Sequence, residues 1–156
     1  MMTKRFGAFA LVGVFVLSAV HGEPLLLDDF EAGDGRSAIG TEWEGFTDRV
    51  MGGVSRMQAG YVRREEGTSL RMTGRVSLEN NGGFIQVRLP VAADGRFFDA
   101  GEYTGIALTV RGVPGSHAVH VRTSRTRLPW AYYKRELPVD EEWRRVEIPF
   151  DGLEGQ

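Results

Sequence analysis

The sequence predicts an all-β sandwich of the jelly-roll type. Apolar and polar residues alternate with period two in several short runs, as in strands with one dry face and one wet face. Glycine- and proline-containing turn signals separate these runs. No window repeats apolar residues at helical spacing over three turns. A chain of 156 residues is expected to form one domain with a substantial core.

Leu25 to Phe30 reads as the first short strand, followed by a polar loop punctuated by Gly33, Gly35 and Gly40 that leads to Trp43. Tyr61-Val62-Arg63 runs into a turn at Glu65-Glu66-Gly67. From Ser69 the alternation is clean. Leu70, Met72, Gly74, Val76 and Leu78 share one face, and Arg71, Thr73, Arg75 and Ser77 share the other. Ile85, Val87 and Leu89 then alternate with Phe84, Gln86 and Arg88, and Pro90 to Gly101 is a loop. Ile106, Leu108 and Val110 make a strand that stops at Gly112-Val113-Pro114-Gly115. Val119 and Val121, Tyr132 to Leu137, and Val146, Ile148 and Phe150 supply the remaining strands.

Two double glycines mark corners between these runs: Asp48-Arg49-Val50-Met51-Gly52-Gly53-Val54-Ser55 and Glu79-Asn80-Asn81-Gly82-Gly83-Phe84. Glycine inside a strand-like pattern signals a sharp bend or bulge. Asp48 and the Asn80-Asn81 pair can hold such bends by accepting backbone N–H bonds. The rival reading sets the corners side by side, presenting Asp48, Arg49, Asn80 and Asn81 to a partner. The first corner is no P-loop, since it lacks the lysine and leads into strands rather than a helix.

Lys4-Arg5, the apolar run Phe6 to Val20 and the small-residue end Val20-His21-Gly22 have the form of a secretory leader. Cleavage is expected before Glu23. Residues 1–22 are therefore set aside as a signal peptide, and 23–156 as the jelly-roll domain. The apolar run is short for a membrane span, so no stable span is expected after cleavage, and the chain is expected to be periplasmic or extracellular. The formal charge is −2 and becomes more negative once Lys4 and Arg5 leave. That balance gives no general attraction to nucleic acid. With no cysteine, disulfides, thiolate metal sites and a cysteine nucleophile are excluded.

The corners and two later strands carry a family resemblance. Trp43 with Thr47-Asp48-Arg49-Val50-Met51-Gly52-Gly53-Val54-Ser55 resembles the signature of the complex I intermediate-associated protein family, the thirty-kilodalton assembly-factor group. Gly74 to Phe84, Tyr103 to Gly112 and Trp143 to Phe150 are similar to its next motifs, in the same order. The resemblance covers residues 28 to 150. It implies a galactose-binding-domain-like jelly roll and a role in assembling a protein complex. The family domain runs on past the strand ending at Phe150, so the sandwich is expected to lack one or two last strands. Val113-Pro114-Gly115 stands where the family often has Asp-Gly.

No catalytic constellation emerges. His117 and His120 lie three apart on an expected strand, hence on opposite faces, and cannot share a metal. Gly-Gly-Val-Ser at Ser55 lacks the strand-elbow-helix setting of a hydrolase nucleophile. Asp28, Asp29, Glu31 and Asp34 match no defined calcium loop and read as a solvated acidic turn. No metal and no cofactor are expected. Trp130, Tyr132 and Tyr133 follow Pro129, and Arg75, Gln86, Arg88 and Arg122 fall on wet strand faces. If those strands are neighbours, they build an arginine-lined face with an aromatic rim suited to a glycan. The sequence thus points to a non-enzymatic module that holds a protein partner, with carbohydrate binding as the alternative. Asp48, Arg49, Asn80, Asn81, Arg88, Arg122, Trp130 and Tyr132 are its candidate contact residues, and Gly52, Gly53, Gly82 and Gly83 its structural corners.

Overall fold

A computed structural model describes residues 6–19 and 22–156. Lys4, Arg5 and the Val20-His21 part of the expected cleavage point lie outside the described residues. The chain is all-β, as its alternating runs require. Eleven strands are described: β1 Phe6–Ala19, β2 Leu25–Asp28, β3 Glu44–Thr47, β4 Arg56–Arg64, β5 Gly67–Val76, β6 Ile85–Arg88, β7 Tyr103–Gly112, β8 Ala118–Val121, β9 Tyr133–Glu136, β10 Arg144–Pro149 and β11 Glu154–Gly155. They form antiparallel sheets consistent with a β-sandwich. The largest has the order β10-β7-β1-β5-β4, with β2 also paired to β1. The others are β11-β9-β8 and the pair β3-β6.

The apolar run that reads as a leader forms the middle of the large sheet. Backbone register joins Phe6–Val12 of β1 to Val76–Leu70 of β5, and Ala10–Ala19 to Gly112–Tyr103 of β7. The core lies against this sheet and contains Leu17, Leu27, Ile106, Leu108, Val110, Val139, Val146 and Ile148. Successive residues Ile106, Ala107 and Leu108 are all buried, so β7 is dry on both faces, as a strand inside a layered structure must be.

The tertiary structure departs from the simple alternation in three places. β3 and the first half of β4, Arg56 to Gly60, are strands that the sequence hides, because their mixed polar and small residues give no clean period. Phe30, placed at the end of the first strand by its sequence, has φ +63 and is almost fully buried. An Asx turn holds it there, with its N–H donated to Asp28 Oδ1 at 2.8 Å, and its ring packs beside Trp43 and Tyr61. Ser77 and Leu78 exchange the expected faces: Ser77 is buried and Leu78 is 63% exposed. β5 ends at Val76, and the Ser77 N–H turns inward to the Ser55 hydroxyl at 2.9 Å.

A buried carboxylate joins two glycine corners

Chain geometry puts the two corners side by side. β4 and β5 form a hairpin in which Arg56 pairs with Arg75, so Ser55, just before β4, meets Ser77, just after β5. β3 and β6 pair with Thr47 opposite Ile85, which brings Asp48 to Phe84. Asp48 opens a 3₁₀ turn, Asp48–Met51, capped by the Thr47 hydroxyl accepting from the Arg49 N–H. Its side chain is fully buried.

The Asp48 carboxylate accepts four hydrogen bonds. The Ser55 N–H donates to Oδ1 at 2.9 Å, and the Ser55 hydroxyl donates to Oδ2. From the second corner, the N–H groups of Gly83 and Phe84 reach Oδ2 at 2.7 and 3.3 Å. Burial alone pushes the carboxyl pKa up, but the hydrogen bonds from Ser55, Gly83 and Phe84 outweigh it and hold the group below the usual carboxylate range. Ser55, itself fully buried, accepts from Ser77 through the same hydroxyl that it donates to Asp48.

The four glycines divide the work. Gly52 has φ +91 and closes the 3₁₀ turn with its N–H on the Arg49 carbonyl at 3.1 Å. Gly83 has φ +144. Gly53 and Gly82 need no left-handed backbone; they give room. A Cβ on Gly53 would stand 2.4 Å from Asp48 Cγ, and one on Gly82 would stand 2.5 Å from Asp48 Oδ2. Each double glycine therefore has one member for the bend and one for the carboxylate. Asn80 and Asn81 are both left-handed, at φ 55 and 58, a conformation that asparagine tolerates better than most residues. Asn80 Nδ2 donates to the Gly52 carbonyl at 3.3 Å, tying the second loop to the first.

These placements correct several expectations. Asp48 touches no surface, so its role is to fasten the corners. Arg49, Asn80 and Asn81 are exposed beside it. The arginine-lined face does not assemble as expected: Arg75 lies on β5 of the large sheet, Arg88 on the β3-β6 pair, and Arg122 in the loop that follows β8. Arg88 pairs with Glu44, its Nε donating to Oε2 at 2.7 Å, and lies over the Phe46 ring. Arg122 donates to the Leu128 carbonyl at 2.8 Å and so braces its own loop. Tyr132 stacks on His120 with ring centroids 4.0 Å apart, which covers one of its faces. Trp130 is 68% exposed.

What the sequence missed is apolar. Val50 is 69% exposed, Met51 65% and Leu78 63%, with Val54 also exposed. All four sit on the two fastened corner loops. Val50 and Met51 carry a readable signal: two apolar residues inside a short turn, where neither can reach a core. Leu78 carried the opposite signal, since alternation assigned it to the dry face.

The family model for complex I intermediate-associated protein 30 (CIA30) matches residues 30–155. The chain belongs to this family. The CIA30 match contains both corners and every strand from β3 to β11. Comparisons with curated proteins and with solved structures give no match. Among the described residues no helix is long and apolar enough to cross a membrane.

Trp43, in the first family motif, works as packing. Its Nε1 donates to the buried Asp28 Oδ2 at 2.8 Å, and its ring lies between Phe15 and Phe30. Trp43→Phe should cost about 2 kcal/mol by removing that bond and leaving Asp28 short of a donor. Urea unfolding would measure this as a lowered midpoint at unchanged slope.

Proposed function

We propose that this CIA30-family chain is an exported, non-enzymatic module that holds a protein partner through its two corner loops, in an assembly-related role. The carrying observation is the exposed set Val50, Met51, Val54 and Leu78 on loops that Asp48 fixes to each other. Exposed apolar residues gathered on one rigid element favour a protein interface over solvent. Arg56 and Arg75 stand directly opposite across the hairpin beside these loops, both exposed and in no ion pair among the described residues. Like charges so placed are unfavourable in the free domain, and they suit a partner with acidic groups around an apolar patch. Arg49 adds a third exposed cation. A galactose-binding-like jelly roll is the scaffold this reading uses.

The non-catalytic part of the reading is supported by how the usual reactive residues are engaged. Ser55 is buried against Asp48, His117 Nε2 lies 2.9 Å from the Val113 carbonyl, and His120 stacks on Tyr132. Export is supported by the leader form of residues 1–22, and the product is read as periplasmic or extracellular.

The test is the triple change Val50→Ser, Met51→Ser, Leu78→Ser. It should leave unfolding stability within about 0.5 kcal/mol, since all three side chains are exposed. In a strain lacking the gene, it should fail to restore respiratory complex I on native gels, where the wild-type chain succeeds. Full restoration by the triple variant would refute the corner-loop surface. The carbohydrate alternative rests on the exposed Trp130 indole. It requires polysaccharide retention that Trp130→Ala abolishes.

A further inference from the structure

The place of β1 in the large sheet carries a second interaction site. β5 and β7 both run antiparallel to β1, and so parallel to each other with one strand's width between them. Among the described residues β5 otherwise pairs only with β4, and β7 only with β10. The seating of β1 is interrupted: its register on β7 shifts between Val12 and Phe15 and again at Ser18/Ala19, and on β2 at Phe15/Val16. The segment that fills this position is also the one with the form of a removable leader. Once it leaves, β7 presents a ten-residue edge whose middle, Ile106 to Leu108, is apolar, and an edge of that kind templates pairing with another extended chain.

We propose that the channel between β5 and β7 is a strand-acceptor site. After residues 1–22 are removed, an extended, uncharged apolar segment of the protein partner enters antiparallel to both strands in place of β1. This rests on reading residues 1–22 as a leader and on the partner-holding role above. Main-chain hydrogen bonds to two edges supply the binding, and side-chain packing supplies the selection. β1 shows what the occupant must be. Val16 and Leu17, which point to opposite faces of the strand, are both buried, so the segment must be apolar on both faces at that level. At Gly13 a Cβ would stand 3.6–3.7 Å from Thr109 and Trp143, an ordinary packing distance, so a side chain there would be in contact with β7 and the loop before β10.

The experiment uses the product exported by cells expressing the full sequence. Its intact mass should place the N-terminus at Glu23. The probe is a synthetic peptide of residues 6–19 with a lysine tail for solubility, and the readout is amide hydrogen exchange. Exchange at Leu70–Val76 and Tyr103–Gly112 should be fast in the processed chain and slow about tenfold or more with the probe. A probe carrying Leu11→Pro and Val16→Pro should produce no slowing. The reading holds whether the processed chain is folded or loosened beforehand, because protection on adding the probe is what is scored. β7 amides already protected without the probe would mean that the chain itself or a second copy closes the channel, and the proposal fails. A probe that protects nothing also overturns it. A product that retains Met1 overturns the leader reading, and the inference with it, and the mass alone tells that case apart. Failure of the corner-loop variant to change assembly would instead strike the partner surface and leave the channel measurement standing.

Discussion

Asp48→Asn is expected to destabilise the domain by about 3 kcal/mol, the largest effect of any single isosteric change at the corners. The carboxylate accepts four bonds, two from each corner. Asparagine keeps the shape but turns one acceptor into an NH₂ donor, which then faces donors inside a buried site. A buried donor left without an acceptor costs about 1–3 kcal/mol, and loss of a charged acceptor adds to it. The pH dependence has a definite sign. The folded pKa of Asp48 lies below its ordinary value, so the unfolded chain binds the proton more readily. Its contribution is complete above the unfolded pKa of about 3.9 and is lost as pH falls through the lower folded value. Urea unfolding of the wild type should therefore weaken on descending through that window. The Asp48→Asn variant should show a flatter acid limb. An equally steep limb in the variant would move the effect to another carboxylate.

Gly53→Ala is expected to cost about 2–3 kcal/mol, and the reason is space. The added methyl would sit 2.4 Å from both Cγ and Oδ1 of Asp48. That carboxylate cannot swing away without breaking bonds to Ser55 or to the second corner. Gly52→Ala, where φ is +91, should cost about 1–2 kcal/mol through backbone strain alone. The two mechanisms separate in a double-mutant cycle. In an Asp48→Ala background the cost of Gly53→Ala should fall, because the carboxyl group it strikes is gone and only the Cβ at 2.8 Å remains, while the cost of Gly52→Ala should stay the same. Thermal or urea unfolding of the six proteins reads this directly. Additive costs for Gly53 and Asp48 would show that the crowding account is wrong.

Both variants probe the support beneath the proposed surface. If Asp48 fixes the loops that carry Val50, Met51 and Leu78, a partner should bind Gly53→Ala more weakly even at temperatures where the variant is fully folded. Loss of order in the loops would be charged against binding as added entropy.

Much of the fold was legible along the chain. Alternation at Leu70 to Val76, at Ile106 to Val110 and at Val146 to Ile148 reports strands because successive side chains on a pleated backbone must face opposite ways. Double glycines beside acid and amide residues report corners, and the ordered motifs report the family. Alternation says nothing about what happens where a strand stops. Ser77 turned inward and Leu78 outward because the Ser77 N–H found the Ser55 hydroxyl, a partner 22 residues away.

The same limit governs the candidate site. Asp48, Asn80, Gly53 and Gly82 could be named from local chemistry, as residues that bend a chain. Only the folded chain made Asp48 the common acceptor of both corners, because the pairing of β3 with β6 and of β4 with β5 brings Ser55, Gly83 and Phe84 to one carboxylate. Arg75, Arg88 and Arg122 share a wet-face pattern in sequence yet sit on β5, on β6 and in the loop after β8, since period two fixes a side chain's face and leaves its strand's neighbours open. Pattern along the chain marked most of the strands, the bends and the family, but not β1, β3 or the first half of β4. The tertiary structure decided which bends touch, because hydrogen bonds between residues far apart in the chain leave no periodic mark along it.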